Sequence, residues 1–250
     1  MDYDPIAAAY DRRYELHGYP GIRAAILGVF QQVGGGRVLE VGCGTGRWLA
    51  ELVRAGATDV AGIDPSREML RRAARMVSAD LRHGVAEDLP WESASFDVVL
   101  YINALHHTSA PRTALEQAFR VLRPGGTLLS IGLDPHEGRD RWYVYDFFPE
   151  ALALDRRRFA SRPLRVSWLE AAGFGDVAVG IAERLRSSPR PADARAAGLL
   201  ERSFTSQLTA ISDAEYTSGL RRLQVAADRD PEHRLEVDLS LYATEATRPS

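Results

Sequence analysis

"VLEVGCGTGRWLAEL", residues 38–52, decides the fold. It opens on apolar strand-formers and breaks at Gly42, Gly44 and Gly46. It then resumes at helical spacing, with Trp48, Leu49, Leu52 and Val53 on one face. Glycines between a strand and a helix can let the two elements pack closely. They can also leave main chain bare for a ligand that side chains would block. A helix that starts directly after such a loop points its free N–H groups into the gap. Three glycines in that position favour the ligand.

The same alternation continues outward. "RVLEV" (37–41), "DVAGID" (59–64), a weaker "LRHGV" (81–85), "FDVVLYI" (96–102) and "TLLSIGL" (127–133) read as strands. Between the second and third, Met69, Leu70, Ala73, Met76 and Val77 face one way and Arg71, Arg72 and Arg75 the other. Leu115, Ala118, Phe119 and Leu122 mark another amphipathic helix, ended by the turn residues "RPGG" (123–126). Strands alternating with helices predict a doubly wound α/β architecture, with a parallel sheet covered on both faces. In such sheets, ligands bind beyond the carboxyl ends of the strands where strand order reverses. After residue 134 the pattern loosens. "RWYVYDFFP" (141–149) is strongly aromatic, "VSWLEAAGF" is a helix ending at Gly173, and residues 187–230 hold two or three helices. "DVAVGIAERL" and "LEVDLSLYATEA" read as a final pair of strands.

Composition narrows the function classes. A net charge of −3 over 250 residues gives no basic surface for nucleic acid. All 31 basic residues are arginine, which removes lysine Schiff-base and lysine general-base chemistry. The lone Cys43 forbids an internal disulfide and a multi-cysteine metal site. No apolar run reaches the ~18 residues of a membrane span. The opening segment has no hydrophobic signal core, so the expected address is cytoplasmic.

The loop spacing selects among ligands. A dinucleotide loop places its third glycine at the position held here by Arg47. Glu40 stands two residues before the first glycine, where a phosphate would be repelled and a ligand amino group attracted. Here "LEVGCGTG" resembles the first motif of class I S-adenosylmethionine-dependent methyltransferases. "VAGIDPSREML", "AEDLPWESASFDVVLYINALHH" and "AFRVLRPGGTLL" are similar to that family's later motifs, in order, over roughly residues 37–133.

The resemblance implies a mostly parallel, seven-stranded Rossmann-like sheet with an antiparallel last strand and helical lid elements. It implies one methyltransferase domain over residues 1–250, made of cover helices (1–30), a cofactor-binding core (31–135), an acceptor-side segment (136–186), a helical lid (187–230) and a last strand with tail (231–250). The implied cofactor is S-adenosyl-L-methionine, leaving as S-adenosyl-L-homocysteine. Glu40 would bind its amino group, and the Gly42–Cys43–Gly44–Gly46 backbone would border the methionine moiety and ribose. Asp64 would accept from the ribose hydroxyls, Pro65 and Met69 would line the adenine side, and Asn103 would face the methionine portion. Relatives often carry Asp where this chain has Val85, so adenine contacts would pass to Ala86 and Glu87 or Asp88. A "YD" pair, Tyr10-Asp11, would close over the cofactor from the N-terminal side.

Acceptor-side candidates are His107, the better of the pair His106–His107, and His136 past the fifth strand. Each could take a proton near neutral pH. Each also has a plain reading, as packing or a solvated loop. The aromatics of 141–149 suit either a satellite core or an acceptor wall. The expected partner is a small-molecule methyl acceptor, with no nucleic acid, no membrane, no metal, and a homodimer as one arrangement. The competing readings are a cofactor-binding relative without catalysis and an NAD-dependent oxidoreductase, which the shifted glycine and the absence of lysine oppose.

Overall fold

The computed structural model describes residues 4, 11, 14, 16–230 and 232–250. Its centre is β1 (Arg37–Val41), flanked by β2 (Asp59–Asp64) and β4 (Phe96–Ile102), with β3 (Asp80–His83) beyond β2 and β5 (Leu122–Gly132) beyond β4. These five run parallel. The last strand, β8 (Val237–Thr247), is antiparallel to β5 and to β7 (Gly175–Ser187), as expected of that final pair. A two-residue β6 (Arg141–Trp142), invisible to periodicity, pairs with the start of β8 and makes an eighth strand.

Successive residues of the central strands feed opposite cores. Val38, Val98, Leu100 and Leu129 join one cluster, where α1 (Pro20–Gln32) contributes Ile22, Ile26 and Val29, and α2 (Arg47–Arg54) contributes Trp48, Leu49 and Leu52. Leu39, Val41, Val99, Tyr101 and Leu128 join the other, with Leu115 and Ala118 of α4 (Pro111–Val121). Val53, and Met76 of α3 (Arg67–Met76), expected on the inner faces, stand instead at 41% and 43% exposure. Each lies in the last turn of its helix. The "RPGG" turn is absorbed into a bulged start of β5. Between Phe96↔Leu122 and Val98↔Thr127 the register slips, and Gly125, at φ +79, receives the returning chain through its N–H to the Arg248 carbonyl (2.8 Å).

The remaining helices are α5 (Tyr143–Phe147), α6 (Pro149–Arg158), α7 (Arg162–Ala171), α8 (Pro191–Ala196), α9 (Ser206–Ala210) and α10 (Asp213–Arg229). Tyr143, Phe148, Leu208 and Leu223 bury in the cluster that holds α1 and α2, so this helical layer shares one core with the sheet. Gly219 is where α10 crosses Phe148, and a Cβ there would lie 2.1 Å from the ring. Phe148 is fully buried and cannot retreat. Replacing an interior helical glycine by alanine gains up to about 1 kcal/mol of propensity, but the overlap costs about 1–3 kcal/mol. Gly219→Ala is therefore expected to lower the thermal midpoint by several degrees, measured by circular dichroism; an unchanged or higher midpoint would contradict this packing.

Candidate active site

The sheet's strand order reverses between β1 and β4, and a cleft of about 280 Å³ opens at their carboxyl ends. Gly42 and Gly44 border it. Gly42 has φ +73, and a Cβ there would sit 2.6 Å from that of Ala104, so its main chain stays bare. Gly46 is different. It lies outside the cleft, and a Cβ would meet Ala73 and Val77 beside α3 at 3.0–3.2 Å. Both explanations of the glycines hold, for different residues: the first two face the cleft and the third serves packing. Cys43 also turns from the cleft, with Sγ against Gly62 of β2; burial, then Glu40 and Asp64, push its thiol pKa well up.

Asp64 closes β2. Its Oδ2 accepts from the Gly44 N–H and its Oδ1 from the Ser66 N–H, both at 2.9 Å. Burial pushes its pKa up, and those two N–H groups pull it only part of the way back. The braced carboxylate retains free lone pairs on the cleft wall. Glu40, in β1, is 1% exposed, and among the described residues its Oε2 has no hydrogen-bond partner. Burial pushes its pKa well up and the Asp64 charge pushes it further. Glu40 faces a small annex that it shares with Gly42, Gly44, Tyr14, Arg47 and Trp48. An unmet buried oxygen of this kind costs about 1–3 kcal/mol until a donor reaches it.

Pro65, Met69, Ala86 and Glu87 line the far part of the cleft. Glu87 does so with a carboxylate already engaged. Its Oε1 accepts from the Ser109 N–H (2.7 Å), the Ser109 hydroxyl (2.8 Å) and the Ala110 N–H (2.9 Å), immediately before α4 begins. Burial pushes its pKa up, but these donors outweigh burial and leave it lowered. Glu87 therefore holds the loop to the helix. Val85, 47% exposed at the rim, offers an apolar edge.

Tyr10 lies outside the described residues. Its neighbour Asp11 is tied to the glycine loop, accepting from the Thr45 hydroxyl at 2.6 Å. Tyr14 stacks edge-on against Trp48 at 5.9 Å and lies under the Arg47 guanidinium at 4.6 Å. Asp11 and Tyr14 thus lie over the glycine loop, while Asp4 reaches the segment after β2, accepting from the Glu68 N–H at 3.3 Å.

A second cavity of about 130 Å³ adjoins the first, and Asn103 and His107 line both. Asn103 sits at φ +51 just past β4, a left-handed conformation that asparagine tolerates. Its N–H donates to the Ile131 carbonyl at 2.8 Å. Next to His107, the His106 ring stacks on Phe159 at 3.9 Å. Burial, then the charges of its neighbours, hold its pKa well below the usual histidine range, so His106 is a neutral packing group. His136 does not reach either cavity: its Nε2 contacts the Phe159 carbonyl at 2.8 Å, fixing the loop after β5. The aromatic run divides. Trp142 and Tyr143 line the second cavity, while Phe148 is core.

Gln207 of α9 lines this cavity and escaped sequence reasoning. Its Nε2 donates to Asp155 Oδ2 at 2.8 Å. Asp155 is fully buried and also accepts from the Tyr145 hydroxyl at 2.7 Å and from Arg158. With the amide nitrogen fixed on Asp155, the oxygen, which accepts from the Ser206 hydroxyl at 3.3 Å, keeps a second lone pair as the acceptor of this wall.

A model of the methyltransferase domain family matches residues 39–130. Demethylmenaquinone methyltransferase of Clavibacter sepedonicus is 30% identical over 200 residues, covering 70% of this chain and 81% of that one. The chain belongs to the class I S-adenosylmethionine-dependent methyltransferases. Its fold is similar to that of an S-adenosylmethionine-dependent methyltransferase from Thermotoga maritima (TM-score 0.62, 20% identity, 98% of each chain). It is also similar to Haemonchus contortus phosphoethanolamine N-methyltransferase 2, solved with S-adenosyl-L-methionine (TM-score 0.57, 18% identity, 90% of this chain and 52% of that one).

The methyltransferase cofactor carries an amino group and a vicinal diol, and two buried carboxyl groups stand here, Asp64 on the cleft wall and Glu40 in the annex beside it. Because its folded pKa is raised, the Glu40 contribution to apoprotein stability is full below the ordinary carboxylate range. It is lost as pH rises through the folded value. An ammonium favours the ionised form, so binding in that window releases a proton and tightens as pH rises. Calorimetric titration of S-adenosylhomocysteine in two buffers of different ionisation enthalpy, at mildly acidic pH, is expected to show release. Glu40→Gln should abolish the release and weaken binding at least about tenfold. Proton uptake, or no linked proton in the wild type, would contradict the assignment.

Proposed function

We propose that this methyltransferase transfers a methyl group to a small organic molecule enclosed in the second cavity, with Asn103 and His107 at the junction between donor and acceptor. The observation that carries the reading is the meeting of the two cavities at those residues. S-adenosylmethionine supplies a methyl group already activated on a sulfonium. The protein's share is alignment, exclusion of water and, where the acceptor requires it, removal of a proton.

Asp64 holds the ribose hydroxyls through its free lone pairs, and Glu40 holds the amino group. Pro65, Met69 and Ala86 flank the base. His107 takes the acceptor proton, and the neutral His106 fixes its ring, 3.8 Å away between centroids. Trp142, Tyr143 and Phe159 give the acceptor an apolar bed. The Gln207 oxygen accepts from one hydroxyl or amino group on it. A cavity of about 130 Å³ and a net charge of −3 suit a small acceptor and not a nucleic acid. Among the described residues no helix is long and apolar enough to cross a membrane, and we infer a cytoplasmic site of action.

Asp64→Ala is expected to weaken S-adenosylhomocysteine binding at least about thirtyfold with the circular dichroism spectrum retained. Asp64→Asn, which keeps the shape, should fall between; full affinity in both would remove the ribose role. With a panel of hydroxylated and amino-substituted aromatic acceptors and labelled donor, the wild type is expected to transfer label. His107→Ala should slow that turnover about 10²-fold or more while changing cofactor affinity far less. Undiminished turnover in His107→Ala would reduce His107 to packing.

A further inference from the structure

Behind the His106–Phe159 stack lies a third cavity, about 20 Å³, between the end of β5, the start of α4 and helices α6 and α7. Two arginines line it. Arg165 is 4% exposed; among the described residues its buried Nε and Nη2 have no hydrogen-bond partners and its guanidinium forms no ion pair. Arg158 gives Nη2 to Asp155, and its Nε and Nη1 are likewise buried and unmet.

The Asp134 charge favours Arg165 from a distance, but the neighbouring carboxylates are already engaged in hydrogen bonds to other groups. Asp155 accepts from Tyr145, Gln207 and Arg158. Asp134 accepts from the His136 N–H at 3.1 Å and from the Arg162 N–H and Nε at 2.9 and 3.4 Å. A guanidinium cannot shed its proton to escape burial, and an unpaired buried charge is strongly unfavourable. The volume left admits one small species, up to a halide or the smallest carboxylate.

We propose that this cavity binds a small monovalent anion, of halide or carboxylate size, between Arg158 and Arg165. The chemistry is that of charge-assisted N–H donors converging on one acceptor. The same cavity borders His106 and Phe159, whose other sides line the proposed acceptor cavity. The two arginine charges also help to hold the His106 pKa down, and an anion would offset them. Occupancy would thus firm one wall of the acceptor site without touching the cofactor cleft.

Bromide-soaked crystals should show an anomalous peak between Arg158 and Arg165. The thermal midpoint should rise with chloride, bromide or formate at constant ionic strength set by sulfate, which is too large to enter. Displacement of bromide by formate would identify a carboxylate, and its persistence a halide, as the preferred occupant; either supports the site. Arg165→Met, which removes the charge but keeps the bulk, should lose the peak and the anion response. If that variant does not fold, Arg165→Lys should keep the response with affinity at least about tenfold weaker. A water without anomalous signal in the wild type, or an equal anion response in wild type and Arg165→Met, would overturn the proposal.

Discussion

The Asp64 carboxylate, accepting from the Gly44 and Ser66 N–H groups, is the interaction on which the rest of the site depends. It joins the tip of β2 to the loop after β1, so the bare main chain at Gly42 and Gly44 is held in one conformation. Glu40 lies on the adjoining strand, paired in register with Gly62. Two carboxyl groups buried this close raise each other's cost of ionisation, as the upward push of Asp64 on Glu40 shows. A fold keeps such an arrangement where a cationic ligand repays it.

The sheet makes that cost bearable. Two apolar clusters, one on each face, fix five parallel strands in register, and the left-handed residue of the site stands at a strand end, where little core is lost. Asn103 illustrates the point. Its left-handed backbone follows the largely apolar β4, anchored by one hydrogen bond to β5, and it turns the chain between the two cavities. The helical layer walls the second cavity through Tyr143 and Gln207, beside Trp142 of β6, and shares the core of α1 and α2.

The sequence revealed what is local. Glycine spacing, strand-end acids and apolar periodicity are patterns within a few residues, and they placed β1, β2, β4, β5 and the Asp64 and Glu40 pair. Contacts across long separations left no such trace. Glu87 reads as a loop acid until Ser109 and Ala110 fold onto it. Gln207 gains its orientation from Asp155, fifty-two positions away. His136 looks like an acceptor-side base until Phe159 takes its ring nitrogen. Gly46 looks like its two neighbours, and only the approach of α3 shows that it is needed for packing. The cavity between Arg158 and Arg165 has no local signature at all, because its meaning lies in partners that are missing.

A crystal structure of the chain with S-adenosylhomocysteine tests the central claim most directly. The amino group should lie within hydrogen-bond distance of Glu40 Oε2, the ribose hydroxyls should contact Asp64, and the sulfur should point toward Asn103 and His107. A ligand seated elsewhere, or bound in the cleft with Glu40 Oε2 still unmet, would contradict it.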